Sequence, residues 1–211
     1  CRRSGLLEGG AVSFQTILGK LSSDTERMLA RMWASTENGD LTLDEFIRLA
    51  ANLIQVARSK GQAAAWLAFR AFLETHVGQV VPIDSLGSDD QLTRLEDALR
   101  TITDAGGNTL ARLARLARNE PVDAATTELS NRMADSRVSG WRRKLEPDAC
   151  ELCRWWSREG RVFQTSHKMP RHTGCTCHQQ PVFNERTSNF QTTQQANDAA
   201  RRTAAQSKGS K

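Results

Sequence analysis

The sequence has no run of 18 or more apolar residues and no hydrophobic leader. A membrane-spanning helix and an intact signal peptide are therefore not expected, and no membrane is counted among its partners. Apolar residues are scarce overall: the 38% hydrophobic fraction lies below the usual globular range. The shortage is uneven, because from about Glu185 onward there is almost nothing to bury. Cysteines are also too few for a disulfide-dense scaffold, with five in 211 residues. Four of them fall between Cys150 and Cys177, which suits a metal site in a reducing compartment better than a secreted framework. Two disulfides, or a set of buried free thiols, are the alternatives. Cys1 is the odd one and reads as a free terminal thiol; a start at Cys1 instead of Met reads as a fragment or a processed form. A net charge of +5 permits contact with nucleic acid without establishing it.

What is present first is a helical body. Residues 1–10, with three glycines, form a loose lead-in. From Val12 apolar residues fall at helical spacing through Phe14, Ile17, Leu18 and Leu21 and then Met28, Leu29, Met32 and Trp33. Gly19 weakens the middle, and Ser22-Ser23-Asp24 offers a second start there. Asn38-Gly39-Asp40 is a turn signal. Thr42-x-x-Glu45 is a capping box, in which hydroxyl and carboxylate each bond the other residue's amide. The helix it opens should reach about Ser59, with Gly61 past its end. An Ala-rich helix over Ala63–Leu73 follows, apolar nearly all round and therefore central. Gly78 to Gly87 is a loop. Ser88-x-x-Gln91 reads as another capping box, opening a helix that Gly106-Gly107 stops. Asn108 caps the next, and Pro121 suits the first position of a further one. Asp40, Asp44 and Glu45 lack the spacing and closing Glu of a calcium loop, and His76 reads as a boundary histidine near a helix C-terminus. The expected fold is mainly α: about six helices over residues 1–136, a small zinc-stabilised module with a short β ribbon over 137–183, and a disordered polar and basic tail over 184–211.

The chemistry is concentrated between Trp141 and Phe183. Cys150-x-x-Cys153 and His172-x-x-Cys175 each space two donors so that one tight turn can chelate one ion, and Cys177 adds a fifth donor. The 18 residues from Arg154 to Arg171 are long enough to fold back and close the site. Zinc, with four thiolate or imidazole ligands, is the expected cofactor. The favoured set is Cys150, Cys153, His172 and one of Cys175 and Cys177, with Cys175 slightly ahead; a four-cysteine site without His172 is the alternative. His167 and His178 are spare and read as exposed. Arg161-Val162-Phe163 and Pro181-Val182-Phe183 have β character and are expected to pair.

A closed four-ligand site is structural, whereas a catalytic zinc keeps an open position and usually a Glu base. Glu151 and Glu159 lie nearby, but neither forms a His-Glu pair like that of zinc hydrolases, and no nucleophile motif flanks any serine. No catalytic residue is therefore assigned. A metal-dependent nuclease using His167 or His172 as base, or a maturation protease, stands as the enzymatic alternative. Trp141, Arg142, Arg143, Lys144, Arg154, Trp155, Trp156, Arg158 and Arg161 interleave aromatics with positive charge, which suits nucleic acid. The plainer reading, that the tryptophans roof a small metal-dependent module, carries more weight.

The run Gly140-Trp141-Arg142-Arg143, Pro147-Asp148-Ala149-Cys150-Glu151-Leu152-Cys153, Gly160-Arg161-Val162-Phe163, His172-Thr173-Gly174-Cys175-Thr176-Cys177 and Pro181-Val182-Phe183 resembles the C-terminal module of MuF-like minor head proteins of tailed phages. The likeness is strongest to the versions in phages of actinobacteria. It is specific over about 45 residues, and the helical body resembles theirs only loosely. The chain departs from the pattern in having Thr173-Gly174 where many members have Pro-Asn. The resemblance implies metal-type positions at Cys150, Cys153, His172, Cys175 and Cys177. It further implies a head-morphogenesis (minor capsid) structural protein, assembled in the host cytoplasm and retained in the virion, in the head interior or at the portal vertex. Portal, capsid or scaffold proteins, and packaged DNA, would be its partners. Some relatives are labelled capsid maturation proteases.

Overall fold

A computed structural model describes residues 13–77, 90–134 and 138–183. The lead-in, the loop with its Ser88 box, and the tail expected over 184–211 lie outside the described residues, as does Cys1. The protein is mainly helical, with five α-helices and one two-stranded antiparallel sheet among the described residues. Four helices make the body: α1 (Phe14–Glu37), α2 (Leu43–Val77), α3 (Leu92–Asp104) and α4 (Thr109–Ala134). None of the described helices is long and apolar enough to cross a membrane.

The body has fewer and longer helices than expected, because local stop signals turn out to be tertiary contacts. α1 runs unbroken through Gly19 and Ser22-Ser23-Asp24. Ser22 is buried, and its hydroxyl donates to the Arg118 carbonyl of α4 at 3.0 Å; the Thr25 hydroxyl donates to the Leu21 carbonyl at 2.7 Å. These hydroxyls are satisfied across or along the helix and leave no reason to cap a new one. α2 passes straight through Gly61. A Cβ there would lie 2.2 Å from the Pro121 carbonyl oxygen, so the glycine marks a close crossing with α4 and not a helix end. Pro121 itself sits inside α4, fully buried at that crossing. Its missing amide forfeits one intrahelical bond, at a position where the residue is buried and its backbone lies against Gly61.

Other signals act as expected. The Thr42 amide donates to Glu45 Oε2 at 2.9 Å and the Glu45 amide to Thr42 Oγ1 at 3.3 Å, which completes the capping box at α2. Gly39 takes a φ of +82° in the turn before it. Asp44 pairs with Arg100 at 2.9 Å. Asn108 Oδ1 accepts the Ala111 amide at 3.2 Å at the start of α4. α3 begins after Gln91, whose side chain makes no capping bond; Asp90 instead accepts the Leu92 amide at 3.1 Å.

One buried cluster joins Leu29, Phe46, Ile47, Ile54, Leu95, Leu99 and Leu113 from all four body helices. Beside it, Glu120 of α4 is buried and receives Arg58 at 2.5 Å and Arg94 at 2.7 Å, which ties α2 and α3 to α4. A second cluster starts in the bundle with Leu18, Trp66, Phe69, Leu129 and Met133. It continues without a break into Val138, Trp141, Cys153, Phe163, Cys175 and Cys177. The apolar interior thus crosses the expected boundary near residue 137.

The ribbon differs from expectation. β1 (Gly140–Lys144) pairs antiparallel with β2 (His178–Val182), from Gly140 opposite Val182 to Lys144 opposite His178. Phe163 contributes only an isolated bridge to Trp141. In β1 the alternating side chains Trp141 and Arg143 are both buried. The arginine on the inward face hides this strand in sequence, where these residues read only as part of a basic and aromatic rim.

Candidate metal centre

β1 leads through a turn at Pro147-Asp148 to α5 (Glu151–Ser157), for which Cys150 is the N-cap and in which Cys153 lies one turn along. This places both thiols on one side of a tight turn. On the returning segment, the Cys175 amide donates to the His172 carbonyl at 3.4 Å, and Gly174 takes φ +79°. That positive φ is one a glycine adopts without strain, so the His172-x-x-Cys175 turn closes tightly. The turn is anchored to the bundle: the Gly174 amide donates to Asn119 at 3.1 Å, and Arg171 pairs with Asp123 of α4. Burial of the Asp123 carboxyl raises its pKa, against the lowering effect of Arg171.

The five predicted donors gather into two adjoining groups of three. Cys150, Cys153 and His172 form one group able to hold a metal ion, and Cys153, Cys175 and Cys177 form another. Cys153 belongs to both. His172 Nε2 lies 3.2 Å from Cys150 Sγ and 3.1 Å from Cys153 Sγ, and the Cys153 and Cys175 sulfurs are 3.4 Å apart. Metal–ligand bonds of about 2.0–2.3 Å in a tetrahedron put ligand atoms about 3.5 Å apart. Within each group the donor chemistry and these separations suit such an ion; joining Cys175 to Cys150 and His172 around one ion requires the two groups to close on Cys153. Cys150 is exposed, while Cys153, Cys175 and Cys177 are buried and free of disulfides.

The surroundings govern the charge on these thiols. Burial pushes Cys153 up to about 11. Cys175 is also raised, first by its hydrogen bond to Cys177 and then by burial. Cys177 moves the other way, down to about 6, because Cys175 donates to it and the Glu146 amide adds a second bond at 3.4 Å. A metal would ionise its ligand thiols outright and supersede this sharing. Glu146 also fixes the segment from its other end, since its carboxylate accepts the Thr176 amide at 3.2 Å. Arg143 lies beneath the cluster, with Nη1 3.8 Å from Cys153 Sγ, Nη2 donating to the Pro170 carbonyl, and its guanidinium carbon 5.2 Å from the Trp156 ring centroid. Sequence reasoning set Arg143 among the basic rim and did not single out Glu146. No motif distinguishes either residue.

His167 and His178 are not the exposed residues expected. His167 stacks on Phe163 at 4.9 Å between centroids, and its carbonyl accepts Trp141 Nε1 at 3.1 Å. Burial lowers its pKa. His178 sits edge-on to Phe14 at 4.9 Å, and burial pushes its pKa down to about 4. Both histidines are packing groups, and neither belongs to a donor group. His76 stacks on Phe72 in the last turn of α2, as a boundary residue should. Among the tryptophans, Trp141 is a core residue and Trp156 packs 6.0 Å from the His172 ring, whereas Trp155 is 59% exposed with Arg158 over its ring at 4.4 Å. Compared with family models, curated proteins and solved structures, the chain matches none.

Proposed function

We propose that this is a non-enzymatic minor head protein of a tailed phage. In it a zinc ion bound by Cys150, Cys153, His172 and Cys175 holds the C-terminal module onto the helical body. The observation that carries the structural role is the position of Cys153. It belongs to both donor groups and also to the buried cluster that runs into the bundle. An ion there would fasten a seven-residue helix and two five-residue strands, elements too short to be stable alone, to α4. Cys175 is favoured over Cys177 because its sulfur touches that of Cys153. Glu146, the acid beside the cluster, has its carboxylate engaged by the Thr176 amide and hydroxyl. The phage-head role rests on the resemblance of residues 140–183. It makes portal, capsid or scaffold proteins the partners, with packaged DNA a further contact for the basic rim.

The test is made in a phage that encodes the chain. Cys153→Ser should block head assembly, and the wild-type protein should be found in purified heads. Cleavage of capsid precursor or DNA by the purified protein, lost on substitution of His167 or His172 with the fold intact, would replace this reading with the protease or nuclease one.

A further inference from the structure

We infer that Arg143 is the counter-charge of the metal centre, and that the centre is a three-thiolate, one-histidine site. This deepens the zinc reading and rests on it. Arg143 is only 5% exposed. Its polar contacts are the Cys153 sulfur and the Pro170 carbonyl, and its Nε is buried without a partner. Among the described residues no carboxylate pairs with it, in contrast to Arg58, Arg94, Arg132 and Arg171, each of which meets a Glu or Asp. A buried guanidinium without an anion is costly. The anion within its reach is a sulfur, and a ligand sulfur is a thiolate.

Charge then restricts the ligand set. A divalent ion with three thiolates and a neutral imidazole carries one net negative charge, which one buried arginine balances. Four thiolates would leave one charge over, and two would leave Arg143 unopposed. The donor groups contain a single imidazole, His172. Arg143 also positions its surroundings: it holds Pro170, two residues before His172, and underlies Trp156, which packs against the His172 ring. Packing alone would be served by any side chain of that length, whereas charge balance requires a cation.

The experiment is a zinc titration of the full chain against a chromophoric chelator, for wild type, Arg143→Met and Arg143→Lys, with helix content followed by circular dichroism. Arg143→Met should weaken zinc binding by about ten- to a hundredfold, the range seen for residues that support metal ligands. Arg143→Lys should recover part of the loss. Equal affinity for Arg143→Met and wild type overturns the inference. Should Arg143→Met not fold, cobalt-loaded serine variants of each cysteine decide the charge count. Substitution of Cys150, Cys153 or Cys175 should each reduce the thiolate-to-cobalt absorption, while Cys177→Ser should leave it unchanged. Loss in all four, or in only two, overturns the three-thiolate assignment even though metal binds. A wild-type chain that takes up no metal defeats the zinc reading itself, a distinct result.

Discussion

The two buried clusters of this protein are made of different materials. The cluster around Leu29, Phe46, Ile54, Leu95 and Leu113 is aliphatic and aromatic, and helices of 13 to 35 residues carry it. It needs nothing beyond hydrophobic burial and the Glu120 ion pairs. The far half of the second cluster is built from Trp141 on a strand of five residues, Cys153 on a helix of seven, and Phe163, Met169, Cys175 and Cys177 on the segment that leads from that helix to the second strand. Such elements cannot offset their own ordering entropy. The contrast marks where an ion, if bound, would matter: long helices are stable by packing, while the short elements of the module are held by their donor cluster and their anchorage to α4.

Breaking the module should therefore leave the first cluster standing. Cys153→Ser has the largest expected effect, since a structural zinc supplies on the order of 10 kcal/mol of folding free energy to its module. Hydrogen exchange should show residues 138–183 losing protection while the α2–α3 core keeps most of its own. Glu120→Gln attacks the bundle instead. Removing the charge that Arg58 and Arg94 share should cost about 3–5 kcal/mol in a denaturant melt. Gly61→Ala forces α2 away from Pro121 and should cost about 1–3 kcal/mol, with both clusters weakened because the crossing lies between α2 and α4. Thr42→Ala removes one cap of α2 and should cost about 1 kcal/mol, with no change in metal binding.

What the sequence made legible was local. The capping box at Thr42, the Asn108 cap and the pairing of Cys150 with Cys153 each depend on residues a few positions apart, and the structure brings each together, whereas His172 and Cys175 fall in different donor groups that share Cys153. What was misread depends on distant partners. Gly61 and Pro121 look like helix ends, and only their contact with each other explains them. β1 was hidden because its inward-facing Arg143 breaks the apolar alternation that reveals a strand. Glu146 escaped notice because its amide, which every residue except proline possesses, reaches Cys177, and its carboxylate reaches Thr176 thirty residues away.

The most direct measurement of the central claim combines metal analysis of the purified chain with hydrogen exchange before and after a strong chelator. The account predicts one zinc per chain, and selective loss of protection over 138–183 when it is removed. A chain free of metal, with 138–183 as protected as before or with its cysteines paired as disulfides, would contradict it.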